Sequence, residues 1–156
     1  MKQIAASKNC VAIVACMATG CRVYDVDLFL GINSAEIGIT DYEFYKFMLH
    51  KGYCLGIGIE AKWDEGLHVS DMDSILVLEY KVGSYPAFII VKSETNPEYA
   101  HAIYWDGKQV WDPNPVVEDG RPISDYEIYR WFPIIKAEDK TPENNKEQFT
   151  ISDVRK

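Results

Sequence analysis

At 156 residues and 47% apolar content, the chain has the size of one domain and enough hydrophobic side chains to close one core. Its 24 acidic against 16 basic residues leave a formal charge of −8, which excludes the basic stripe that a nucleic-acid backbone requires. Four cysteines without a Cys-x-x-Cys pair, beside three histidines, supply no zinc motif; His50 and Cys54 are spaced for one helix face, but Gly52 between them ends the helix.

The first apolar run, CVAIVACMATG from residue 10, predicts a helix buried on most sides, with Ser7 or Asn9 as N-cap and Gly20 as its stop. The run is too short to cross a bilayer. Preceded by Lys2 and Lys8, it also has the layout of a secretory or lipoprotein leader with Cys21 as the lipidated residue. The buried helix is the preferred reading, which implies a cytoplasmic protein with no membrane partner. VDLFLG (26–31) predicts a short second helix stopped by Gly31. Thr40 to Glu43 form a capping box opening a helix to Leu49, with Tyr42, Phe44, Tyr45 and Phe47 as its buried side and Gly52 as its end.

YCLGIGIE (53–60) reads as a strand in which Gly56 and Gly58 admit another backbone. KWDEGLHVSDMD (62–73) reads as a charged connector, AFIIVK (87–92) as a strand and SETNPEY (93–99) as a loop. A second capping box, Ser124 to Glu127, predicts one or two helical turns before Pro133. Residues 137–156 are polar and charged and read as a loosely held tail. The expected architecture is one α+β domain over residues 1–136, N-terminal helices packed on a C-terminal antiparallel sheet.

Between the last strands lies AHAIYWDGKQVWDPNP (100–115), where Asp106-Gly107 signals a two-residue type I′ turn. That register pairs Trp105 with Lys108 and Ile103 with Val110, and sets His101 directly opposite Asp112. An aspartate accepting from Nδ1–H would fix the imidazole and leave Nε2 to exchange a proton with a third group. A cross-strand charge pair on a solvated edge is the plainer alternative.

Cys10 is the best third group. It opens the predicted first helix, where unpaired N–H groups and the helix dipole favour a thiolate. Its own N–H is free to face an oxyanion. Cys16 belongs in the core at mid-helix, Cys21 follows a helix end that disfavours an anion, and Cys54 lies in a strand.

A cysteine opening a buried N-terminal helix, a histidine on a late strand and an Asp-Pro after a short hairpin together resemble the papain-like cysteine peptidases. The closest resemblance is to the small stand-alone C39-like peptidases of bacteria and phages. It rests on NCVAIVACMATG and YPAFIIVKSETNPEYAHAIYWDGKQVWDPNP and covers roughly residues 3–135. It implies a papain-like fold, Cys10 as nucleophile, His101 as base and acid, and Asp112 as the orienting carboxylate. It also implies Gln3 with the Cys10 N–H as oxyanion hole, and a monomer that hydrolyses peptide or isopeptide bonds through a thioester without cofactor or metal. A second function class uses the same fold as an inactive interaction module, a phage or bacterial effector docking on a host protein through Tyr126, Tyr129 and Trp131. A third is amine transfer as in transglutaminase-like enzymes, whose strand pair looks alike.

Overall fold

A computed structural model describes residues 1–3, 8–56, 59–60, 84–96 and 98–137. The charged connector (62–73), the tail from 138 on, Ser7, Gly58 and Trp63 lie outside the described residues. The helices come first: α1 (Cys10–Thr19), α2 (Val23–Leu30), α3 (Ser34–Ile37) and α4 (Asp41–His50). The strands follow: β1 (Tyr53–Leu55), β2 (Ile59–Glu60), β3 (Ala87–Lys92), β4 (Ala100–Trp105), β5 (Val110–Trp111) and β6 (Ile128–Lys136). All the described pairings are antiparallel, in the order β1-β6-β3-β4-β5, with β2 also on β6.

α1 is buried from Ala12 to Cys16 and ends at Gly20 in the left-handed conformation, as its all-round apolar sequence requires. Asn9 takes the N-cap position without a side-chain cap hydrogen bond. The α4 capping box forms in both directions between Thr40 and Glu43. Its buried side is Phe44, Phe47 and Met48, an i, i+3, i+4 set, whereas Tyr42 and Tyr45 fall on the opposite side of the 3.6-residue period and are exposed. α3, a single turn capped by the Asn33 side chain, has no sequence period long enough to announce it.

β3 is continuously apolar because both sides of the sheet are covered. Phe88 and Ile90 join the helical layer of α1, α2 and α4, while Ala87, Ile89 and Val91 join a second cluster with Ile103, Val110, Tyr126, Ile128 and Trp131. Phe88 stacks on Phe44 with centroids 4.1 Å apart and fixes α4 against the sheet.

Two further expectations are overturned. The segment after Ser124 is not a helix: a 3-10 turn (Ile123–Asp125) leads into β6, the strand between β1 and β3. Ile128 to Phe132 is β-branched and aromatic, and alternating burial on two clusters outweighs the local capping signal. Pro133 is tolerated in mid-strand because it sits where β6 passes from β2, paired at 130 and 131, to β1, paired from 134.

The hairpin register is also different. Tyr104 pairs with Trp111 and Trp105 with Val110, so the loop is four residues, Asp106 to Gln109. Asp106 closes it by accepting from the N–H groups of Lys108 and Gln109, each at 2.8 Å, and from Trp111 Nε1 at 2.9 Å. Gly107 has φ +99°, and a Cβ there would stand 2.7 Å from the Ser84 carbonyl oxygen.

Phe88→Ala is expected to cost about 3–5 kcal/mol, the range for truncating a buried aromatic, read as a fall in urea midpoint. A change under about 1 kcal/mol would show that the Phe44 stack does not tie the helices to the sheet.

Candidate active site

The two hairpin strands pair only at Tyr104–Trp111 and Trp105–Val110, a register that, if continued, would align His101 with position 114 rather than 112, yet the two side chains meet: His101 Nε2 lies 2.6 Å from Asp112 Oδ1. A register shift of two residues keeps every side chain on its own side of the sheet, so the contact changes from direct to diagonal and survives. Asp112 leaves β5 just after Trp111 and is 2% exposed. Its charge is matched by donors: Oδ1 also accepts from the Asn114 N–H at 2.8 Å, and Oδ2 from the Tyr126 hydroxyl at 2.7 Å. Burial alone would raise the Asp112 carboxyl, but these donors, His101 foremost, hold it below the usual range.

An ionised carboxylate can only accept, so His101 carries its proton on Nε2. The sequence reading assigned Nδ1 to the aspartate, and the structure reverses it: Nδ1 is the ring nitrogen left for Cys10, with which the imidazole shares a hydrogen bond. Burial acts to lower the His101 pKa, but the hydrogen bonds and charges of Asp112 and Cys10 outweigh it and push it up to about 9. For Cys10, burial acts to raise the thiol. The hydrogen bond and charge of His101, followed by the Ala102 and Val11 N–H groups, pull it below the usual 9.0. Both shifts favour a thiolate–imidazolium pair.

The fold supplies these partners by simple means. α1 packs along β4, whose stretch before Tyr104 has no β5 partner, so the Ala102 N–H there is available to the sulfur. Val11 offers one of the unpaired N–H groups of the first helical turn. Cys16, by contrast, is buried at mid-helix and pushed up to about 12 by desolvation, which leaves it a packing residue. Cys54 contacts the Ile135 carbonyl oxygen at 3.7 Å in β1.

Gln3 comes to the same region by a route that sequence spacing does not show. Its N–H donates to the Pro113 carbonyl at 2.8 Å, and Lys2 Nζ donates to the carbonyls of Asp112 (2.8 Å) and Val117 (2.7 Å) while pairing with Asp119. Gln3 lines a cavity of about 400 Å³ together with His101, Asp112 and Tyr126. Cys10 lines a separate cavity of about 200 Å³ with His101, closed on one side by an Arg130–Asp41 ion pair. Tyr126 is the site residue that sequence reasoning missed. The Ser124–Glu127 capping box puts it on a helix, and nothing in SDYEIYRWF signals a hydroxyl aimed at Asp112.

No family model, curated protein or solved structure matches this chain. The chemistry therefore rests on the geometry above.

Two outcomes are expected. Alkylation of Cys10 should retain its rate to below pH 9.0, because a lowered thiol stays ionised as pH falls past the usual value, and His101→Ala should move that limb upward. Equal, slow labelling of all four thiols would remove the ion pair. Tyr126→Phe leaves the packed ring but strips a donor from a buried carboxylate, an expected loss of about 1–3 kcal/mol in urea unfolding.

Proposed function

We propose that the protein is a cysteine hydrolase of papain-like fold, cleaving a peptide or isopeptide bond with Cys10, His101 and Asp112. The single observation that carries this is the imidazole held at one nitrogen by a buried carboxylate and sharing its other side with a thiol whose pKa is lowered. The order of groups fits acyl transfer.

In the proposed cycle the Cys10 sulfur attacks the acyl carbon, forming a C–S bond and an oxyanion. The Cys10 N–H, at the start of α1, is the donor assigned to that oxygen; Gln3, the other expected donor, lines the second cavity that His101 touches and takes no part in this step. Collapse breaks the C–N bond, with the Nδ1 proton of His101 passing to the leaving amine. A water then attacks the thioester, gives its proton to Nδ1, and the C–S bond breaks to return the thiolate. Asp112 stays ionised throughout; it orients the ring and stabilises its charged form.

The alternative of an inactive interaction module loses the surface assigned to it, since Tyr126, Tyr129 and Trp131 are only 4%, 6% and 4% exposed. The proposed site is small and the chemistry needs no cofactor; a peptide or protein substrate is the proposed partner. No described helix is long and apolar enough to cross a membrane.

Cys10→Ala is expected to reduce hydrolysis of a fluorogenic peptide library by about 10³-fold or more, with an acyl adduct on wild-type Cys10 seen by mass spectrometry. The rate should fall below the lowered thiol pKa and again above about pH 9, where His101 loses the proton it must give to the amine. Activity that survives Cys10→Ala, or no adduct on Cys10, would overturn the proposal.

A further inference from the structure

The two cavities that meet at His101 lie on opposite sides of the sheet. Ile90 and Ala102, which line the smaller one with Cys10, belong to the helical layer. The larger one includes Val91 and Tyr126 from the second cluster and does not include Cys10. An acyl carbon under attack must lie in the Cys10 cavity, whereas the departing amine must be within reach of the His101 ring, which both cavities touch. The larger cavity is the other space that the ring opens onto.

Its charge is specific. In a chain of net charge −8, this cavity has two cations on its wall, Lys92, paired with Glu127 at 3.6 Å, and Arg121, which meets the exposed carboxylate of Glu94. Asp112, also on its wall, is engaged by His101 and Tyr126. Arg121 is held in place from below, its guanidinium 4.5 Å from the Tyr126 ring centroid and its Nε 3.7 Å from Asp125 Oδ2. Toward the cavity it meets Glu94 Oε1 at 2.5 Å, on a side chain 57% exposed in the β3–β4 loop. A ligand carboxylate can replace such a partner with little loss, because a guanidinium takes any carboxylate in the same planar fork. Beyond Arg121 the surface turns acidic at Glu118, Asp119 and Asp125, which opposes an anion placed further out.

We propose that the 400 Å³ cavity receives the leaving half of the substrate, and that this half is short and ends in a carboxylate taken by Arg121 in place of Glu94. The proposal deepens the hydrolase reading and rests on it for the words "leaving half". The substrate class is then an amide whose departing amine belongs to an amino acid or short peptide with a free carboxyl end.

The test separates the two claims. Binding of glycylglycine and glycylglycine amide to full-length Cys10→Ala is measured by calorimetry, and turnover of two peptides ending in those groups after a common acyl half is measured on the unmodified chain. The acid should bind about tenfold or more tightly than the amide, with the same ratio in kcat/KM. Arg121→Gln should abolish that preference, and Glu94→Gln should strengthen acid binding by removing the competing carboxylate. Equal binding of acid and amide, no binding of either, or a preference retained in Arg121→Gln overturns the proposal even if the protein hydrolyses amides. Should Arg121→Gln fail to fold, the Glu94→Gln arm decides: tighter acid binding supports the site, and unchanged binding overturns it. A preference in binding without any Cys10-dependent turnover keeps the carboxylate site and removes the hydrolase reading.

Discussion

The structure of the site depends on one buried charge. A carboxylate at 2% exposure is tolerated only when its lone pairs are occupied, and Asp112 has donors from three parts of the chain: the His101 ring on β4, the Asn114 N–H two residues on, and the Tyr126 hydroxyl before β6. Each donor constrains its own segment. The Asn114 contact turns the chain away from β5 straight after Trp111, the Tyr126 contact ties the 3-10 turn to the hairpin, and the His101 contact decides which ring nitrogen carries the proton. The orientation of the imidazole toward Cys10 follows from the charge state of Asp112.

That arrangement has a pH range set by its own members. His101, raised to about 9 from 6.5, adds stability that is complete below 6.5 and disappears as pH climbs through about 9. Asp112, lowered from 3.8, adds stability that is complete above 3.8 and is lost as pH falls through its depressed value. The His101–Asp112 contact is therefore firmest between about pH 3.8 and 6.5, while Cys10, lowered from 9.0, adds a contribution of the opposite slope to that of His101, complete above 9.0 and lost as pH falls through its depressed value.

The sheet contributes by where it stops. β4 has no β5 partner before Tyr104, and this unpaired stretch gives the first helix a strand to approach and the sulfur a backbone N–H to accept. It also divides the surroundings of His101 into two cavities, one under the helical layer and one above the second cluster. A site built at the end of a sheet in this way can treat the two halves of a substrate differently, which is the basis of the proposed carboxylate preference.

Strong local signals were legible in the residues alone: the all-round apolar run that makes α1, the reciprocal Thr40–Glu43 cap, the glycines that stop α1 and α2, and the two-sided apolar β3. The pairing of His101 with Asp112 was legible as well, though through a register that proved two residues off, because parity rather than exact alignment decides which side of a sheet a residue faces. Tertiary packing decided the rest. SDYEIYRWF carries a capping box and still becomes a turn and a strand, since two apolar clusters reward alternation more than a short isolated helix can. The tautomer of His101, the hydroxyl of Tyr126 and the second cavity depend on groups distant in sequence meeting around one charge, and no local pattern encodes such a meeting.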